Sequence, residues 1–154
     1  VSSNTRTTPL PLISLVLAIA GLAVSAYLTY THFDPDVLLC SEGAVIDCGT
    51  VTTSEQSEFL GIPVAVLGLA FFVGITVLCL PAAWRDRRLH WARLGAAGVG
   101  VLFVVYLVAA EFVLIGKICL WCTAVHVITL ALAGVLVAGA LREDRPVTGA
   151  TRRE

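Results

Sequence analysis

The chain has 154 residues, 58% of them hydrophobic and 14% charged, with a mean hydropathy of +0.92; so apolar a composition excludes a water-soluble domain and describes an integral membrane protein. The net charge is only -1, and the arginines border apolar runs instead of forming a stripe interleaved with aromatics, which excludes a nucleic-acid surface. Nine of the ten basic residues cluster at Arg6, at Arg85, Arg87, Arg88 and Arg93, and at Arg142, Arg145, Arg152 and Arg153, the pattern of topology anchors.

Residues 1–9 form a short tail ahead of the first apolar stretch, Leu10 to Thr31, which has the roughly 20 residues a helix needs to cross a bilayer core. Val24-Ser25-Ala26 resembles a signal-peptidase site. Apolar character continues through Tyr27, Leu28 and Tyr30, which favours an uncleaved anchor over cleavage.

The loop 32–60 follows, with six acids and no Lys or Arg, so the positive-inside rule puts it outside the cytoplasm. It holds Cys40 and Cys48, with Gly43 and Gly49 marking turns. Overlapping capping-box patterns in Thr52-Thr53-Ser54-Glu55-Gln56 predict a short surface helix leading into the second span. Its apolar end, Phe59 and Leu60, would tuck over the mouth of the bundle.

The second span is expected from Leu60 to Leu80, with Pro63 in its first turn and Pro81 closing it. Cys79 near its inner end reads as a small hydrophobe. A cytoplasmic loop, 81–91, carries Trp84 and Trp91 at interfacial depth. The third span is expected from Trp91 to Ile115, with Glu111 near its outer end reaching the interface or pairing with Lys117. The fourth runs from Lys117 to Leu141, and residues 142–154 form a second tail. Small residues at four-residue spacing, Gly61 with Ala65 and Ala96 with Gly100, would let helices approach closely. The expected fold is therefore an all-α, four-transmembrane-helix bundle over residues 10–141, both termini cytoplasmic, with an extracytoplasmic loop carrying a short surface helix.

Four of the five cysteines fall on the expected outer side, where disulfides persist. The Cys119-Leu120-Trp121-Cys122 pair admits three readings: a redox-active dithiol, a structural disulfide, or half of a zinc site. In a helix its sulfurs would lie one turn apart on one face, where free backbone N–H groups favour the thiolate. A crosslink closing so short a loop would constrain almost nothing. Zinc would need Cys40, Cys48, Cys119 and Cys122 together, and Cys40-x7-Cys48 is wider than the usual zinc knuckle. Electron relay between two dithiol pairs is the favoured reading.

A relay needs an acceptor. The chain has no nicotinamide or flavin fingerprint, and Thr123 after Cys122 excludes a C-x-x-C-H haem motif; a membrane quinone, menaquinone or ubiquinone in type, is the economical candidate. His126 lies one turn beyond Cys122 on the same face, placed either to hydrogen-bond a quinone oxygen and pass a proton or to be satisfied by a neighbour. From other classes, a small membrane adaptor with purely structural disulfides is the alternative. A transporter fits less well, since apart from His126 the spans lack mid-membrane ionisable residues and show no inverted repeat.

Together, Cys40-x7-Cys48, the hydroxyl run ending at Ser54, Phe59-Leu60-Gly61-Ile62-Pro63 and Cys119-Leu120-Trp121-Cys122-Thr123 resemble the bacterial branch of the vitamin K epoxide reductase family, over about Pro11 to Leu141. The resemblance implies a quinone held in the bundle near the C-x-x-C end, no metal, and a role for each cysteine. Cys122 would face the quinone, Cys119 would exchange with Cys48, and Cys40 would meet an outside partner. Ser54 would help organise the loop, while Phe59, Ser57 and His126 are quinone-binding candidates. The implied partner is a thioredoxin-like, DsbA-like extracytoplasmic oxidase, expected as a separate protein, and the implied location is the bacterial cytoplasmic membrane. Vertebrate members carry a Tyr where His126 stands and an Asn that aligns only loosely with Ser57, so plain quinone reduction is expected rather than epoxide chemistry. The unrelated DsbB-type quinone reductases have their two cysteine pairs in the reverse order.

Overall fold

The computed structural model describes residues 9–41 and 43–143; Glu42 and nearly all of the two expected tails lie outside them. Helix α1, Leu10–Phe33, has 24 residues and starts from Pro9, with Pro11 in its first turn, where a missing N–H costs nothing. The loop then contains a five-residue helix α2, Cys48–Thr52, a 3-10 turn at Glu55–Ser57, and a two-stranded hairpin of β1, Glu58–Phe59, and β2, Ile62–Pro63. Helices α3, Val64–Cys79, α4, Arg87–Ala109, and α5, Leu120–Glu143, complete the chain.

Three helical stretches are long and apolar enough to cross a membrane: Leu10–Phe33, Arg87–Ile115 (α4 with its π-helical extension) and Leu120–Arg142. Helix α3 has 16 residues, shorter than the expected Leu60 to Leu80. The chain before it pairs antiparallel, Glu58 with Pro63 and Phe59 with Ile62, around a turn in which Leu60 and Gly61 have φ of 55° and 78°. Two left-handed residues in a two-residue connection suit a hairpin and cannot continue a helix. The fold is therefore mostly helical and not strictly all-α, and Gly61 serves the hairpin instead of a helix contact.

Helix α1 packs along α3 and α5, and α4 packs against α5 and α3. Phe72, Ile75 and Leu132 are the large side chains at the centre, with Ala18, Cys79 and Ala97 around them. Close approach is decided by small residues: a Cβ at Gly21 would overlap the Phe72 ring, and one at Gly100 would come within 2.8 Å of Phe71 Cζ. The outward faces are apolar, with Val16 and Ile19 on α1, Val73 and Val77 on α3, Leu102 on α4 and Val137 on α5 all exposed. Ser14, Ser25, Thr31 and Thr129 are buried instead. Apolar outside and hydroxyls inside is the arrangement of helices that meet in lipid. Among these hydroxyls and their neighbours, Thr29 Oγ1 donates to Ser25 O at 2.8 Å and across to Ala65 O on α3 at 3.0 Å.

At the arginine-rich end, Arg93 is buried, lies 4.2 Å from the Trp84 ring centroid, and donates to Leu78 O and Ala83 O. That basic residue is a structural clamp on the α3–α4 turn as well as a charge marker.

Candidate functional site

The site begins where the loop is tied to the start of α5. Ile118 N donates to Val45 O and Asp47 N to Ile118 O, both at 3.0 Å, as a parallel bridge between Ile46 and Ile118. Lys117 Nζ donates to Ala44 O at 2.9 Å. Residues 117–119 are therefore extended, and the fourth helix starts later than expected, at Leu120. Gly116, with φ of 67°, makes the turn that permits it.

Asp47 starts α2. Its Oδ1 accepts from Thr50 N at 2.9 Å and its Oδ2 from Thr50 Oγ1 at 2.8 Å, and these two bonds hold its carboxyl below the usual carboxylate range. The cap thus falls five residues before the expected Thr52, and Gly49 lies inside the helix. Asp47 succeeds because the Ile46–Ile118 bridge fixes it in an extended conformation, the backbone an N-cap needs.

Cys48, fully buried in the first turn, is disulfide-bonded to Cys40, with their Cα atoms 6.1 Å apart. The Cys40 side of the loop is latched by aromatic residues. Trp121 Nε1 donates to Leu39 O at 2.7 Å, Leu39 N donates to Tyr27 Oη at 2.8 Å, and Tyr27 Oη donates to Val37 O at 3.2 Å. The Tyr27 and Trp121 rings lie 4.7 Å apart.

Cys119 packs with Cys48 and Val51 in one buried cluster, with Cys40 and Cys122 at its edge. It stands just ahead of α5, so the C-x-x-C motif lies across the helix start and not within one helical turn. Its carbonyl accepts from Thr123 N at 2.9 Å and its sulfur from Cys122 N at 3.3 Å; the sulfur occupies the place of a capping oxygen. The Cys122 thiol first, and then the backbone N–H groups of Cys122 and Trp121, hold the Cys119 thiol below its ordinary value against its burial. Cys119 and Cys122 are free thiols here.

Beyond Cys122 lies a cavity of about 500 Å³. Cys122, His126 and Thr129 line it from α5, and Phe71 and Gly100 from α3 and α4. Over its outer end sit Ser54, Ser57 and Phe59. Ser54 Oγ donates to Val51 O at 2.8 Å and Ser57 Oγ to Ser54 O at 2.6 Å, so both hydroxyls brace the loop's own backbone. The Phe59 ring meets Phe103 edge-on, centroids 5.5 Å apart, and Tyr106 at 5.9 Å.

Two cysteine pairs in contact, the second opening onto an apolar cavity, agree with the match of residues 12–137 to the family model described as the vitamin K epoxide reductase family. The chain belongs to the vitamin K epoxide reductase family. It is accordingly a membrane protein of the oxidoreductase class, with cysteines that form disulfides.

In this family member the cavity gathers every quinone-site candidate of the sequence, with His126 buried and Ser57 and Phe59 on its lid. His126 is buried and lines the cavity one turn beyond Cys122. Sequence reasoning missed Glu111. It was expected at the interface or paired with Lys117, but it is only 5% exposed and lines the cavity, while Lys117 binds Ala44 O. One signal was available: the six-residue separation of Glu111 and Lys117 does not bring them onto one helix face. The π-helix over Ala110–Ile115, whose wider turn re-aims its side chains, is visible only in the structure. Tyr27, read as a continuation of the first apolar run, proves to hold the loop.

Proposed function

We propose that this protein is a membrane thiol–disulfide oxidoreductase that takes electrons from a thioredoxin-like extracytoplasmic protein and passes them through two cysteine pairs to a membrane quinone. The observation that carries this is the order of the sulfurs: half-exposed Cys40, bonded to buried Cys48, packed against Cys119, whose motif partner Cys122 faces an apolar cavity. Each neighbour in that series is bonded to, packed against or in one motif with the next, the arrangement that thiol–disulfide exchange needs, and the series runs from the loop surface to the cavity.

In each cycle the reduced partner attacks the loop disulfide, the loop thiols reduce a Cys119–Cys122 disulfide, and the re-formed dithiol delivers two electrons to quinone in the cavity. The N-cap position of Cys119 favours its thiolate, the form that exchanges. The lining fits such a substrate: apolar and aromatic walls for a ring and prenyl tail, with His126 to meet a carbonyl oxygen. The thioredoxin-like partner would approach beside Cys40, where Leu39 and Leu120 are exposed.

The proposed setting is the bacterial cytoplasmic membrane, crossed four times, with both termini inside and the loop outside. At 16 residues α3 is about 24 Å long, and the hairpin before it completes the crossing. Loop 81–91 and the expected tails carry the positive charge. The family match argues against an adaptor with inert disulfides and against a DsbB-type enzyme.

The test is single-turnover quinone reduction by dithiol-reduced protein, comparing wild type with Cys122→Ser and Cys40→Ala. The serine variant is expected to reduce no quinone. Cys40→Ala is expected to lose turnover with the protein donor while keeping it with a small dithiol. Equal loss with both donors would reject the proposed order.

A further inference from the structure

Glu111 is the one carboxylate that lines the cavity among the described residues, and nothing so far gives it work. It is buried at the outer end of the third long helix, and its side chain has no hydrogen-bond or ion-pair partner among the described residues. A carboxyl group this little exposed and without a partner is costly to keep, and within a membrane span such a group marks a functional site by default. The local structure turns it inward, through the π-helix from Ala110 to Ile115 and the bond from Gly116 N to Glu111 O at 2.8 Å.

The cavity wall divides the two thiols. Cys122 lines the cavity; Cys119 does not, being fully buried behind it against Cys48 and Val51. Glu111 lines the cavity from the π-helix Ala110–Ile115, whose last residue, Ile115, packs against the Cys48, Val51 and Cys119 cluster. Glu111 thus stands on a turn that touches both the sealed thiol's cluster and the open space; Cys122, itself a reactant in the step, is the other titratable group in reach of both.

We propose that Glu111 is the proton relay between Cys119 and the substrate cavity. The step rests on the quinone reading given above. In it two S–H bonds break, one S–S bond forms between Cys119 and Cys122, and two electrons and two protons reach the quinone, giving two new O–H bonds. The Cys122 proton enters the cavity directly. The Cys119 proton travels through Glu111, whose carboxyl releases one proton to a quinone oxygen and is refilled from Cys119, so Glu111 ends the turnover unchanged. The groups that face Glu111 across the cavity are Cys122 and His126 from α5 and His32 from the outer end of α1; α3 and the loop lid contribute no titratable side chain to the lining.

The experiment compares Glu111→Gln and Glu111→Asp with wild type in full-length protein in detergent. Quinone reduction by pre-reduced protein is followed across pH, and exchange between the loop pair and the C-x-x-C pair is followed without quinone by thiol trapping. Infrared difference spectra between the oxidised and dithiol-reduced protein, also without quinone, read the carboxyl directly. Glu111→Gln is expected to slow quinone reduction about 100-fold with KM unchanged, to leave thiol exchange intact, and to lose a protonated-carboxyl band that wild type shows on reduction. Glu111→Asp is expected to restore much of the rate with a shifted pH profile, which a packing role would not produce. Wild-type rate and pH profile in Glu111→Gln, or a raised KM with unchanged kcat, would overturn the relay. Wild type exchanging thiols but never reducing quinone would overturn the quinone reading itself, and the relay with it.

Discussion

The loop that carries Cys40 and Cys48 should open when its aromatic latch is weakened, and Trp121→Phe weakens it in the smallest way. Phenylalanine keeps most of the ring contact with Tyr27, at 4.7 Å, and removes only the indole N–H that donates to Leu39 O at 2.7 Å. A neutral hydrogen bond of this kind contributes about 1 kcal/mol net, which is about a fivefold change in the open population. Tyr27→Phe removes two bonds, one to Val37 O at 3.2 Å and one from Leu39 N at 2.8 Å, for about 2 kcal/mol and about 30-fold. Because both side chains act on Leu39 and touch each other, the double variant should show less than the sum. Hydrogen exchange at the Leu39, Asp47 and Ile118 amides reads the opening, and reduction of the Cys40–Cys48 disulfide by a small dithiol should accelerate in the same order. Unchanged protection at Asp47 and Ile118 in both single variants would show that the Ile46–Ile118 bridge holds the loop alone and that the latch does not matter.

Two further outcomes test the lid and the cavity. Since the bonds from Thr50 lower the Asp47 carboxyl, the stability they add is present above its unfolded value and lost as pH falls through the lower folded one; Thr50 amide exchange should rise below about pH 4 in wild type and stay flat in Asp47→Asn, and a flat wild-type profile would remove the carboxylate from the account of the cap. A Cβ at Gly100 would lie 2.8 Å from Phe71 Cζ and 3.1 Å from Thr129 Cγ2, so Gly100→Leu should cost about 1–3 kcal/mol in overpacking and occupy the cavity, abolishing quinone reduction while leaving exchange between the cysteine pairs; full quinone turnover would show that the substrate binds elsewhere.

The helices were legible because their signal is local. A run of apolar residues long enough to cross a bilayer needs no tertiary information, and charged or turn-forming residues mark its limits to within a few positions. The loop was less legible for the opposite reason. Thr52 to Gln56 has a strong capping pattern, yet the helix forms earlier, at Cys48, since a bridge to Ile118, 72 residues further along the chain, sets Asp47 in capping geometry. The same bridge keeps Lys117, Ile118 and Cys119 extended, so Cys119 caps α5 instead of riding inside it. Glu111 was misread because a π-helical turn and its lack of an ion pair are properties of the assembled chain. Leu60, apolar and expected to begin a span, sits 89% exposed at a hairpin tip with positive φ, a conformation that no apolar pattern announces.

The sequence alone determined that the chain belongs in a membrane, where its long helices run, and which four cysteines form two pairs near one surface, because composition, length and spacing act along the chain. Only the tertiary structure decided that Cys48 lies against Cys119, that Cys119 is sealed off while Cys122 opens to a cavity, and that Glu111 and His126 turn into it. Those contacts join segments distant in sequence, and which ones meet is settled by packing among helices whose apolar faces, taken singly, are nearly equivalent in every direction.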